Sequence, residues 1–232
     1  MKWVPKCQNT DRKHQQCQLS EQLLEFLWCY PNDFLSQLVI MAETWLYHYD
    51  PETKQQSVEW RYSGSSHSKK FRVQKSTGKV LASIFWDQNG ILLIDYLPKG
   101  QTINVEYYSS LLVQLKDILK EKRRGKVTKG VLFLHDIALA HQAVATQKKL
   151  AYLGFQCLDH PLYFLDLAPS DYHLFPGLKR QLKGRHFSSD MEVTAAAETW
   201  LDGQPSEFFL SGLQKLEQQA KNCIELQGEY VE

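Results

Sequence analysis

Two apolar runs, residues 80–86 and 91–97, are separated by Asp87-Gln88-Asn89-Gly90. Asn-Gly readily supplies the positive φ of a tight hairpin, so the two runs should pair antiparallel and a sheet has to form around them. The residues that follow limit how this sheet is covered. Ile103, Tyr107, Leu111, Leu115 and Leu119 recur at helical spacing and end in the charged run Glu121-Lys122-Arg123-Arg124-Gly125. Residues 131–135 then read as a central strand, 141–153 as a helix and 155–158 as another short strand. From there through Leu178-Lys179, 193–201 and 208–226 the pattern is mainly helical. Hairpin strands, then alternating helix and strand, then helices, predict an α/β chain whose mixed sheet is covered on both faces.

Upstream of the hairpin, residues 1–18 are polar and contain Trp3-Val4-Pro5, where proline favours an extended, linker-like arm. The rest, residues 19–232, is long enough for one large domain. Leu23, Leu24, Leu27 and Trp28, then Phe34, Leu35 and Leu38, predict two short helices between about 21 and 41, broken at Pro31-Asn32-Asp33. Residues 44–49 read as a strand, and a basic, serine-rich loop spans 63–70. With 27 Lys+Arg against 26 Asp+Glu, nucleic-acid affinity has to come from local patches rather than a global field. Five cysteines without a C-x-x-C pair argue for reduced thiols, against a disulfide framework and against a zinc finger. No signal peptide or apolar run of membrane length is present, so a soluble intracellular chain is expected, without membrane contact. Gly78-Lys79 lacks the rest of a P-loop, and no nucleotide cofactor is expected.

The chemistry-bearing residues are two aspartates with thirty-four residues between them. Asp136 ends the apolar run of the central strand, and Asp171 lies in Leu167-Ala168-Pro169-Ser170-Asp171-Tyr172-His173. A carboxylate at the end of a buried strand and another opening a helix are how a nuclease-type site gathers oxygen ligands for a divalent metal. Such a site needs a third acid, and the place for it holds Ala42. Each aspartate taken alone also fits an ordinary helix cap. His135 and His141 raise zinc, but no cysteine or third ligand stands beside them at a metal-site spacing.

Together these segments resemble the catalytic domain of mariner transposases, the Tc1/mariner branch with a D, D, 34-residue spacing, D pattern. The resemblance rests on Trp3-Val4-Pro5, Glu43-Thr44-Trp45, Tyr49-Asp50-Pro51-Glu52, Phe85-Trp86-Asp87, residues 97–104, Leu134-His135-Asp136, residues 166–175 and Gly184-Arg185-His186-Phe187. It implies an RNase H-like fold, Mg²⁺ or Mn²⁺ held by Asp136 and Asp171, a homodimer on DNA, and a nuclear location. It also implies that the chain begins just after the helix-turn-helix region that reads DNA ends. Departures are equally specific. Ala42 stands where the family has its first catalytic aspartate, and Ile137, Leu139 and Ala140 replace an amide, an arginine and a proline. The resemblance therefore implies a degenerate copy that binds metal weakly or not at all.

Three functions follow as expectations. The first is a transposase-derived protein without catalysis and with residual DNA binding. The second is a metal-dependent nicking endonuclease in which Glu43 or Asp50 improvises the third ligand. The third is a protein-interaction scaffold. Alternation along a strand opposes Glu43, because a residue next to Ala42 faces the other way. Candidate phosphate contacts are Lys69, Lys70, Arg72, Lys122, Arg123, Arg124, Lys179, Arg180 and Arg185. Trp3, Trp28, Trp45, Trp60, Trp86 and Trp200 are expected as core or packing residues rather than base-stacking platforms.

Overall fold

The computed structural model describes residues 10–29, 34–51, 78–124, 130–135, 138–158 and 167–227. Five strands form one sheet: Leu38–Tyr47 (β1), Lys79–Asp87 (β2), Gly90–Leu97 (β3), Val131–Leu134 (β4) and Phe155–Leu158 (β5). Their order is β3-β2-β1-β4-β5. β1 pairs antiparallel with β2 and parallel with β4, so the sheet changes from antiparallel to parallel across this one strand. Between β2 and β3 the connection is the tight turn expected, with the positive φ on Gly90, at 137°. Asn89 donates its N–H to the Asp87 carboxylate at 2.8 Å.

The helices are Thr10–Cys29 (α1), Phe34–Gln37 (α2), Val105–Lys122 (α3), Leu139–Gln142 (α4), Val144–Leu153 (α5), Phe175–Leu182 (α6), Asp190–Asp202 (α7) and Ser206–Glu225 (α8). A π-helical turn, Ser170–Leu174, leads directly into α6. One sheet face, carrying Leu38, Ile40, Ile84, Trp86 and Leu134, is covered by α1, α6, α7 and α8. The other, carrying Val39, Met41, Phe85 and Phe133, is covered by α3 and α5. Asn104 Oδ1 caps α3 by accepting from Tyr107 N–H at 2.8 Å, while Ser189 Oγ caps α7 by accepting from Glu192 N–H and the Glu192 carboxylate accepts from Ser188 N–H at 2.7 Å.

Two expectations are corrected. The helix expected through about residue 41 ends at Gln37, and residues 38–41 are the first half of β1. Leu38, Val39, Ile40 and Met41 are buried on both sheet faces, and a short apolar run of this kind shows no periodicity that separates a helix from a central strand. Residues 10–18, expected in the linker-like arm, belong to α1, which packs along α8. Polar side chains concealed this, because Gln16 and Ser20 sit in the helix contact at 3% and 0% exposure. The basic loop at 63–70 lies outside the described residues.

The π-turn is seated on α8 at Gly212. Tyr172 OH donates to the Gly212 carbonyl at 2.8 Å, and His173 Nε2 lies 2.8 Å from the Phe208 carbonyl. A Cβ on Gly212 would stand 2.4 Å from His173 Cδ2, and the ring cannot move aside without giving up its carbonyl partner. Gly212→Ala is therefore expected to cost about 1–3 kcal/mol, as for other overpacked contacts. The check is a lowered urea midpoint at unchanged m-value.

Candidate functional site

Ala42 lies in the middle of β1 opposite Ile84, on the face covered by α1, α6, α7 and α8. The next pair on that face is Ile40 with Trp86. Trp86 is fully buried, and its indole N–H donates to Ser170 Oγ at 2.9 Å. Ser170 immediately precedes Asp171, and the π-turn packs against β1. The fold thus brings positions 42 and 171 to one sheet face. Asp171 is the exposed residue of its turn, with Ser170 and Leu174 buried on either side. Ile40 pairs with Leu134, and Asp136 follows two residues after Leu134 in the chain; Asp136 itself lies outside the described residues.

Glu43 turns to the opposite face, as alternation requires. Its Oε1 stands 3.5 Å from Nε2 of His141, a residue of α4 with no exposed surface. This contact belongs to a buried polar cluster in which Tyr108 OH meets His135 Nδ1 at 2.8 Å and the two imidazole rings lie 5.3 Å apart. Glu43 is therefore committed away from Ala42. Asp50 lies beyond the end of β1, where its carbonyl accepts from Gly184 N–H at 2.8 Å. Among the described residues no three His, Cys, Asp or Glu side chains are grouped so as to hold a metal ion. Tested against a pair of divalent cations, the donor set does not fit, because position 42 offers a methyl group where an anionic oxygen is required.

The basic residues fall into separate groups. Lys69, Lys70 and Arg72 lie outside the described residues. Arg123 is already engaged, since its Nε sits 3.2 Å from Oδ2 of Asp87, a carboxylate with no exposed surface. This ties the end of α3 to the β2–β3 turn and removes Arg123 from the set of candidate phosphate contacts. Lys122 and Arg124 are exposed beside it, near the start of β1. Lys179, Arg180 and Arg185 are exposed on α6 and the loop after it, the segment that continues from Asp171. That loop runs beside the far end of β1, where Tyr49 bridges His186 and their rings stack at 3.8 Å. The two basic groups thus lie at opposite ends of the sheet.

One feature went unread in the sequence. Trp45, expected in the core, is 40% exposed, with Lys79 Nζ 3.8 Å above its ring. It lines a cleft of about 420 Å³ together with Leu81, Leu97, Lys99 and Gln101. Alternation from Glu43 put Trp45 on the α3 face, but only the length of α3 shows that this end of the face is uncovered. Trp28 is likewise exposed, at 64%. The rim of the cleft is held by Asp190, whose carboxylate meets Lys99 at 2.9 Å and His48 at 2.7 Å and is held below its ordinary range by them.

Two outcomes follow. Arg123→Ala is expected to lower stability by about 1–3 kcal/mol, the usual cost of leaving a buried polar partner unmatched, while Lys122→Ala changes stability little; chemical denaturation compares them. Burial lowers the His173 pKa below that of a free imidazole, outweighing the Phe208 carbonyl, and Lys215 adds to the lowering. The unfolded chain then takes up a proton near pH 6.5 that the folded chain resists, so stability falls as pH drops below about 6.5. His173→Gln should flatten this fall, measured as denaturation midpoints at neutral and mildly acidic pH.

Comparison with known proteins places this geometry in context. Residues 50–129 match the family model described as transposase, partial DDE domain. The chain is 32% identical over 201 residues to the mariner Mos1 transposase of Drosophila mauritiana, covering 86% of this chain and 57% of that protein. It is 28% identical to the human histone-lysine N-methyltransferase SETMAR, over 100% of this chain and 33% of that protein. It therefore spans little more than half the length of one relative and a third of the other. Among solved structures, the Mos1 transposase paired-end complex with left transposon end superimposes with a TM-score of 0.88 at 30% identity, over 100% of this chain and 67% of that one. Mos1 paired-end complexes with Mn and with Mg match equally well. The five-stranded mixed sheet and its helices are the RNase H-like fold of that catalytic domain, and the chain belongs to the mariner transposase family.

Proposed function

We propose that this chain is a transposase-derived domain that no longer breaks phosphodiester bonds and retains sequence-independent association with DNA. The observation that carries the reading is Ala42, set on the sheet face to which the fold brings Asp171, with Glu43 turned away to His141. Paired divalent cations repel each other, and carboxylates both bind them and offset that repulsion. A methyl group at position 42 removes a ligand and a negative charge together. Loss of an outer-shell partner alone weakens metal sites by roughly 10- to 100-fold, so loss of a ligand costs more.

DNA association is supported by the exposed Lys179, Arg180 and Arg185 on the segment that follows Asp171. It draws further support from the Mos1 complex with its left transposon end. Similarity to part of SETMAR supports the reading of a transposase domain put to another use. A homodimer on DNA and a nuclear location accord with the same relatives. The nicking-enzyme alternative is weakened by the direction of Glu43, which turns to the opposite face from Ala42, and the scaffold alternative has no specific observation in its favour.

The test is a supercoiled-plasmid assay with Mg²⁺ or Mn²⁺, paired with binding to duplex DNA across a salt series. The native chain should leave the plasmid intact and bind duplex with an affinity that falls steeply with salt. Lys179→Ala, Arg180→Ala and Arg185→Ala should each weaken binding for all sequences alike and reduce the salt slope by about 1. Nicking by the native chain that disappears in Asp136→Ala would overturn the reading.

A further inference from the structure

The face that α1 turns to α8 is uneven. Gln16, Ser20, Leu24 and Leu27 are buried, at spacings that place them on one side of the helix. Leu24 and Leu27 share a core cluster with Leu213, Leu216 and Ala220 of α8, so the C-terminal half of α1 is anchored by apolar packing. The N-terminal half is held differently. Gln16 Oε1 and Ser20 Oγ are buried and have no hydrogen-bond partner among the described residues. Polar atoms buried unmatched oppose their own burial, so this half of the contact opens more readily than the other. Here stands Cys17, half-buried, with its Sγ 3.7 Å from the carbonyl oxygen of Cys223, which is 206 residues away in the chain and buried near the end of α8.

We infer that Cys17 and Cys223 are a redox pair, which a thiol oxidant converts to a disulfide that fastens α1 to α8. A carbonyl oxygen is about 2.4 Å from its own Cα, so Cys17 Sγ stands within about 6 Å of the Cys223 Cα. Bridged cysteines have Cα atoms roughly 4.4 to 6.8 Å apart, a separation that a rotamer change and a small slide of α1 reach. Access sets the order of events. Opening of the polar half of the contact exposes Cys17, while Cys223 remains buried at 4%. With glutathione disulfide as the oxidant, the Cys17 thiolate attacks one of its sulfurs and releases one glutathione thiolate, leaving Cys17 in a mixed disulfide. The Cys223 thiolate then attacks Cys17 Sγ and releases the second glutathione. The two cysteine protons end on the two glutathiones, whose disulfide takes up the two electrons that the protein pair gives. The loop so closed spans nearly the whole domain, from its first described helix to its last, and a long loop restrains the unfolded chain strongly. The pair involves neither Ala42 nor the basic residues, and it stands apart from the proposed function.

The experiment incubates the full chain in glutathione buffers that run from reduced to oxidised, blocks the remaining thiols with N-ethylmaleimide and reads linked peptides by mass spectrometry after non-reducing digestion, with thermal midpoints recorded alongside. The Cys17–Cys223 peptide should dominate the cross-links at the oxidised end and vanish with dithiothreitol. It should accompany a rise in thermal midpoint of about 10 °C. Cys17→Ser should abolish both the peptide and the rise, whereas Cys157→Ser should leave both in place. In urea, where the fold no longer holds the two thiols together, the same peptide should fall to one pairing among those open to the five cysteines. The linked peptide is read in the unsubstituted chain, so the result does not depend on a variant folding. Cys17 recovered from the folded chain unreacted, only as its glutathione adduct, or joined to a different cysteine would overturn the pair. A Cys17–Cys223 peptide with no rise in midpoint would overturn the fastening of α1 to α8.

Discussion

Everything at the candidate site depends on the alternation of side chains along β1. The strand is central, paired on both edges, and its residues are packed from both faces. A one-residue slip would carry Leu38, Ile40 and Leu46 out of one core and Val39 and Met41 out of the other, and would break both ladders at once. Register is therefore not adjustable, and neither is the direction in which positions 42 and 43 point. An acid at position 43 therefore cannot take the place of one at position 42. Glu43 remains, its carboxylate turned toward His141 behind the sheet.

The same rigidity accounts for what has persisted. The Trp86–Ser170 bond, the two tethers to α8 and the close approach of Gly212 to His173 form one continuous contact between sheet, π-turn and helix. Each member is buried or half-buried, so its loss destabilises the fold whether or not the site is used. A metal ligand at the surface has no such protection. Ala42 packs on the core beside it, and an alanine there satisfies the fold as well as an aspartate would satisfy the chemistry.

Charge is divided in a comparable way. Arg123 looked like part of a basic run, but its guanidinium is bound to a carboxylate buried at the β2–β3 turn. Lys179, Arg180 and Arg185 stand exposed on the segment that Asp171 opens, with Lys179 and Arg185 lying over the rings of Phe175 and Phe187. A short run of cations in a sequence does not reveal which of them a distant acid has claimed, since Asp87 and Arg123 are thirty-six residues apart.

The hairpin, the long amphipathic helix, the later helices and the two short parallel strands were all legible from periodicity and turn chemistry, because each is a local pattern. The alanine between Met41 and Glu43 is likewise visible without coordinates. The start of β1 was not, because an apolar run buried on two faces carries no period, and the helical residues 10–18 were hidden by polar side chains that meet α8 far along the chain. Tertiary structure alone decided that Trp86 holds Ser170, that Glu43 belongs to His141, that Arg123 is engaged and that Trp45 is exposed. These are pairings across long sequence separations, and their partners are chosen by how the sheet and helices stack. Local composition fixes which elements form; the packing of those elements fixes which side chains meet.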